Sequence, residues 1–198
     1  HPPWNAVEER GIPMLRETPL VPVRITANAA APMSPGWENC FNIAWHWNRE
    51  HEGIGKWLPG HSVEVARLPD ALEFRVEPPG DGMFRAVTLD LGRIVLGSLI
   101  LELENVIGGE IVDCHYHQSL EHGVPERLIS DQNYGMIAMA TRLRAGRGRC
   151  RREFFTQFGC RQVTLVFRNL KQPATVRPPQ RPDRRLHGHP VARTGPMV

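Results

Sequence analysis

The chain has 198 residues, is 41% hydrophobic, contains 18 Gly and 18 Pro, and carries a net charge of +3. That length holds one good domain with a lead-in and a tail, the Gly and Pro content disfavours a helical bundle, and no apolar run approaches the ~20 residues that cross a bilayer as a helix. Charge is uneven: residues 142–198 hold 14 Lys or Arg against Glu153 and Asp183, which leaves residues 1–141 acidic.

In chain order, residues 1–35 are Pro-rich and read as an extended lead-in, with pieces such as Pro22–Thr26 running along a surface or a sheet edge. The next stretch concentrates Trp37, Trp45, Trp47 and Trp57. Val63–Arg67 and Leu72–Val76 read as short strands around a Pro69–Asp70 turn. From Val87 the pattern becomes regular. Val87, Leu89 and Leu91 alternate with Thr88 and Asp90, the period of two that lays one face on a core. Leu99, Leu101 and Leu103 repeat it, with Glu102 and Glu104 opposite as a solvated face. Gly108–Gly109 marks a turn. Ile111–Tyr116 is a further strand, and Met136–Arg144 and Arg149–Phe155 read as two strands joined at Ala145–Gly148. Phe158–Gly159 leads into Val163, Leu165 and Phe167.

These regularities predict an all-β protein, an antiparallel β-sandwich of jelly-roll or concanavalin-like type over residues 36–170. Residues 171–198 are rich in Arg and Pro with almost no large apolar groups. Such a tail cannot offset its ordering entropy by burial, and disorder is expected there.

Four cysteines, Cys40, Cys114, Cys150 and Cys160, show no metal-type spacing. Cys150 and Cys160 could face each other across a hairpin, or stay as buried thiols. There is no Walker loop, no G-x-G-x-x-G after a strand, no G-x-S-x-G and no H-E-x-x-H, so no cofactor is expected.

Some residue groups suggest chemistry. Asp90, Glu102, Glu104, Glu110, Asp113, Glu121 and Asp131 supply carboxylates, but nothing pairs any two as glycoside hydrolysis requires. A turn hydrogen bond is the expected role of Asp90, just before Gly92. His115 and His117 are two apart on a strand and so share a face, which could offer two imidazoles to a metal ion, with Asp113 or Glu121 as a third ligand. The competing reading makes them partly exposed surface residues. Trp45, Trp47 and Trp57 could form a sugar-stacking platform, or pack the lead-in onto the sandwich. Arg142, Arg144, Arg147, Arg149, Arg151 and Arg152, with Phe154 and Phe155, could be read as a nucleic-acid hairpin. Alternation puts most of these arginines on a solvent face, which argues against nucleic acid.

Three segments carry a resemblance. LDLGRIVLG (89–97), YHQSL (116–120) and FFTQFGCRQVTLVFRNL (154–170), in this order, together with GIPMLRETPLVPV (11–23), resemble the β-sandwich domain of bacterial α-L-rhamnosidase-type glycoside hydrolases. That family carries D-[FL]-G-x-x-x-x-G, Y-x-E-x-L and F-x-x-x-G-[FC]-R-Y at the corresponding places. The chain departs from it at Gln118, where the family has an acid, and at Gln162, where it has an aromatic. The resemblance spans roughly residues 10–170 and implies a sandwich segment without the helical barrel that holds the family's catalytic carboxylates. The expected partners are then a rhamnose-containing glycan or a catalytic helical barrel domain. The other readings are a free-standing carbohydrate-binding module and an Arg-rich nucleic-acid binder.

Overall fold

The computed structural model describes residues 20–33, 58–59, 63–68, 71–118, 120–121, 124–125 and 139–177. They contain no helix and form thirteen strands: β1 (Arg24–Pro32), β2 (Leu58–Pro59), β3 (Val63–Leu68), β4 (Ala71–Val76), β5 (Met83–Gly97), β6 (Ile100–Val106), β7 (Ile111–His117), β8 (Leu120–Glu121), β9 (Val124–Pro125), β10 (Ala140–Arg144), β11 (Gly148–Glu153), β12 (Phe158–Arg168) and β13 (Ala174–Arg177). A six-stranded sheet has the order β10-β7-β12-β5-β1-β2, a five-stranded sheet the order β11-β6-β13-β4-β3, and β8 pairs with β9. Every pairing is antiparallel. The protein is an all-β antiparallel sandwich.

The alternation seen in the sequence builds the core. Val87 and Leu89 of β5, Val112, Cys114 and Tyr116 of β7, and Val163, Leu165 and Phe167 of β12 project from the larger sheet. They join Phe74 and Val76 of β4, Leu101 and Leu103 of β6, and Val176 of β13 in one cluster. Burial of each large apolar side chain there contributes about 1.5–3 kcal/mol. Tyr116 stacks on Phe158, with ring centroids 4.3 Å apart, and its hydroxyl bonds that of Thr141 at 2.8 Å.

The sheets draw on both flanks of the 36–170 segment. β1 lies inside the Pro-rich lead-in and pairs with β5 along Arg24–Pro32. β13 lies beyond residue 170 and sits between β4 and β6, near the middle of the smaller sheet. Ala174 and Val176, both buried, supply enough apolar surface for this short segment to add a strand. Residues 178–198 and most of the lead-in are outside the described residues.

Two local expectations differ from the structure. The strands on either side of Ala145–Gly148 do not pair with each other: β10 joins β7 and β11 joins β6. Ala145 exchanges backbone hydrogen bonds with the Gly109–Glu110 turn as the chain crosses from one sheet to the other. Cys150 and Cys160 consequently belong to opposite sheets, and Cys114, Cys150 and Cys160 are free thiols. Burial pushes the Cys160 thiol up to about 11, so it stays protonated.

The Gly108–Gly109 turn forms as the sequence predicts. Gly108 has φ +101°, a conformation that only glycine adopts cheaply. The Glu110 carboxylate closes the turn by accepting from the amides of Ile107 (2.7 Å) and Gly108 (2.8 Å).

Candidate functional site

A strand that puts Val112, Cys114 and Tyr116 into the core must turn Asp113, His115 and His117 the other way. Antiparallel register aligns these with outward positions on neighbouring strands. Asp113 lies between Arg142 of β10 and Val166 of β12. His115 lies opposite Thr164, which lies opposite Thr88. His117 lies opposite Gln162, Gln162 opposite Asp90, and Asp90 opposite Arg24. One face of the six-stranded sheet is therefore apolar, and the opposite, more polar face carries these rows together with Val166, Ala86 and Phe84.

The polar face is not a solvated one. His115, His117 and Gln162 are each 1% exposed, Asp113 and Thr164 0%. The expectation of partly exposed histidines is corrected: β7 is buried along its whole length. Polar groups taken from water need partners, and most have them. Thr88 and Thr164 share a hydroxyl hydrogen bond of 2.8 Å. Arg142 Nε donates to Asp113 Oδ1 (2.6 Å) and Arg168 Nε to Asp113 Oδ2 (3.0 Å).

Asp90 anchors the end of this face. Five residue steps of β5, Asp90 to Val95, lie against two of β12, Gln162 to Cys160. This large bulge centres on Gly92, at φ +78°. The Gly92 amide donates to Asp90 Oδ1 (2.8 Å), the turn bond expected from the sequence. Arg161 Nε donates to the same oxygen (3.2 Å), and Arg24 Nε and Nη2 to Oδ2 (3.1 and 3.0 Å). Burial pushes the Asp90 carboxyl up, but the Gly92 amide and the two guanidiniums together outweigh it and hold the group below the usual carboxylate range.

The two imidazoles are neutral. Burial pulls His115 down to about 4, opposed by Asp113 and reinforced by Arg142 and Arg168. Burial, then the neighbouring His115, pulls His117 down to about 3. Both ring nitrogens of His117 and Oε1 of Gln162 are buried without a hydrogen-bond partner. Each such group left unmade costs about 1–3 kcal/mol. A neutral imidazole, one nitrogen donating and the other accepting, beside an amide oxygen can take hydrogen bonds from hydroxyl groups and give one back.

His115 and His117 do share a face, as their spacing requires. Among the described residues no cluster of three or more His, Cys, Asp or Glu is placed to hold a metal. Asp113, the acid nearest in sequence, is held by two arginines. The other described carboxylates singled out in the sequence are also engaged: Glu102 with Arg149, Glu104 with Arg149 and Arg177, and Glu110 with backbone amides. Glu102 is buried, not solvated as its position beside Glu104 suggests, because Arg149 folds over it. Within the arginine run, Arg142, Arg149 and Arg151 are ion-paired. Trp45, Trp47, Trp57, Asp131 and the Glu121 side chain lie outside the described residues.

Sequence reasoning missed Gln162, Thr164, Thr88 and Arg168 as members of this face. The available signal was parity: in QVTLVFR, the residues between core positions must share the face opposite the core. An open depression of about 380 Å³ on the five-stranded sheet is lined by Arg75, Asn105, Gln172, Pro173 and Thr175 and contains none of the residues singled out above.

No protein-family model matches the chain, and no curated protein matches it. Among solved structures it is similar to the crystal structure of a GH78 family rhamnosidase of Bacillus sp. GL1, at 21% identity and a TM-score of 0.42. That likeness covers 62% of this chain and 11% of the rhamnosidase chain.

Proposed function

We propose that this chain is a non-catalytic β-sandwich segment of an α-L-rhamnosidase-like glycoside hydrolase, associated with carbohydrate. One observation carries the reading. The three segments that resemble that family are far apart in sequence, yet they lie on adjacent strands of one sheet and meet at one end of it. LDLGRIVLG is the second half of β5, Tyr116 and His117 end β7, and FGCRQ opens β12. Their motif residues touch: Asp90 of the first accepts from its own Gly92 and from Arg161 of the third. Tyr116 of the second stacks on Phe158 of the third, ring centroids 4.3 Å apart. The first and third segments share the hydrogen bonds at Asp90, and the second pairs with the third along β7 and β12.

The described carboxylates support a non-catalytic role. Hydrolysis of a glycoside needs two carboxyl groups free to act on either side of the bond. Asp90, Glu102, Glu104, Glu110 and Asp113 are each committed to backbone amides or guanidinium groups. The test is a pair of assays on the purified full chain: turnover of an aryl α-L-rhamnoside, and binding to an array of rhamnose-bearing glycans. The expected result is binding without turnover. Turnover overturns the non-catalytic assignment, and absence of binding to every rhamnosyl glycan overturns the association with carbohydrate.

A further inference from the structure

We infer that the open depression on the outer face of the five-stranded sheet is a binding subsite for a neutral, hydroxylated ligand, a single sugar ring. The inference deepens the carbohydrate reading above and rests on it. Strand parity builds the site. Ala174 and Val176 of β13 and Phe74 and Val76 of β4 enter the core, so Thr175 and Arg75 stand on the opposite face. These two are cross-strand partners. Asn105 at the end of β6, with Gln172 and Pro173 just before β13, completes the lining of a volume of about 380 Å³. Ligand pockets run from about 300 to 1,000 Å³, and a volume at the low end suits one ring rather than a chain of them.

The lining is held in place by the fold. Asn105 and Asn169 are the two non-glycine residues with left-handed backbone among the described ones, at φ 61° and 59°. The first lines the depression, and the second turns the chain out of β12 into the connection that bears Gln172 and Pro173. Gln172 Nε2 donates to the Asn105 backbone oxygen at 2.6 Å, which ties two sides of the depression together. Thr175 is paired on both sides, with β4 and β6. A site preorganised in this way loses little affinity to the ordering of side chains. Arg75, Asn105 and Gln172 are exposed, and Thr175 and Pro173 are half-buried, so a ligand reaches all five directly from solvent.

The chemistry of the ligand follows from the groups. Arg75 Nε is paired with Glu77 Oε1 at 2.9 Å. Glu104, opposite Thr175, is paired with Arg149 and Arg177, and Lys171 with Asp81. These charges balance, so the depression offers no net charge to an ion. It offers two carboxamides, a hydroxyl and the outer edge of a guanidinium. Such groups donate to and accept from hydroxyls, and the Gln172 bond through Nε2 leaves its Oε1 to accept. Pro173 adds a flat apolar surface against which the C–H face of a sugar packs.

The experiment is a titration of the isotopically labelled full chain with methyl α-L-rhamnopyranoside, a panel of other neutral methyl glycosides, and methyl β-D-glucuronide as an acidic probe. The Asn105 and Gln172 side-chain amides are followed by NMR. Calorimetry gives Kd for wild type, Gln172→Ala and Thr175→Val, with folding checked by the amide spectrum. Gln172 is exposed, and Val keeps the β-branched shape that suits a strand at position 175, so both variants are expected to fold. The expected result is saturable movement of both amides with at least one neutral glycoside, and a Kd weaker by about fivefold or more in each variant, the loss of one hydrogen bond. Saturable binding that leaves both amides in place, with wild-type Kd in the variants, puts the sugar elsewhere; it overturns this inference and leaves the carbohydrate reading standing. Movement of these amides with the glucuronide alone overturns the assignment to a neutral ligand. No binding by any methyl glycoside overturns the subsite, and the glycan array then decides separately whether the chain recognises larger rhamnosyl structures. The wild-type resonances decide the matter if a variant does not fold.

Discussion

His115 and His117 remain neutral because burial penalises their charged forms, and this ties the stability of the fold to pH. Their pKa values fall from 6.5 to about 4 and about 3. Above pH 6.5 both are neutral whether folded or unfolded, and their contribution is complete. As pH falls below 6.5 the unfolded chain takes up protons that the folded chain refuses, and stability declines until the folded pKa values are reached. The slope approaches about 1.4 kcal/mol per pH unit for each imidazole. Asp90, whose folded pKa is depressed, adds a further loss at lower pH, as it is protonated. Urea unfolding measured at intervals from pH 8 to pH 5 is expected to be flat above 7 and to weaken below 6.5. The double variant His115→Asn, His117→Asn is expected to flatten the profile between 6.5 and 5; an unchanged slope would mean the imidazoles are solvated.

At the level of the strand, β7 shows how far alternation can be trusted. Its period of two correctly separates Val112, Cys114 and Tyr116 from Asp113, His115 and His117. It says nothing about what lies against the second set. The arginines that neutralise Asp113 come from β10 and β12, 29 and 55 residues away, and no local pattern names them. Removing one member of a buried ion group leaves uncompensated charge, so Asp113→Ala is expected to destabilise the protein by about 3–5 kcal/mol. The Lys171–Asp81 pair is exposed, and Asp81→Ala is expected to change the chemical denaturation midpoint by nothing measurable. Equal effects at the two sites would show that Asp113 is hydrated. The bulge at Gly92 divides in the same way. The sequence DLG predicts a turn bond from Asp90, and the structure has it. The two guanidiniums on the same carboxylate arrive from 66 and 71 residues away.

For the whole molecule, the smaller sheet depends on a four-residue strand at the far end of the described chain. β13 pairs on both sides, with β4 and β6, and buries Ala174 and Val176 against the shared core. Without it, β4 and β6 would each present unpaired backbone groups, and Val76 and Leu103 would lose neighbours. A chain ended at residue 170 is expected to lose the cooperative thermal transition of the full chain and to aggregate on size-exclusion chromatography. A substitution that only inserts charge, Val176→Asp, is expected to act in the same direction. A cooperative, monomeric 1–170 chain would show that the sandwich closes without this strand.

The sequence by itself determined the all-β class, the existence of strands β4, β6, β7 and β12, the turn at Gly108–Gly109, and the core-facing side around Val87–Leu89, Leu101–Leu103 and Val163–Phe167. These follow from local chemistry: a two-residue period, glycine at left-handed φ, and an acid two residues before a free amide. It also put His115 and His117 on one face. Tertiary structure alone decided that β10 and β11 part to opposite sheets, that β1 and β13 are recruited from the Pro-rich flanks, and that the polar face of the larger sheet is buried. Each of those outcomes depends on which surfaces meet across long sequence separations. Period-two alternation fixes the side on which a group stands; only packing fixes whether water or an arginine stands opposite it.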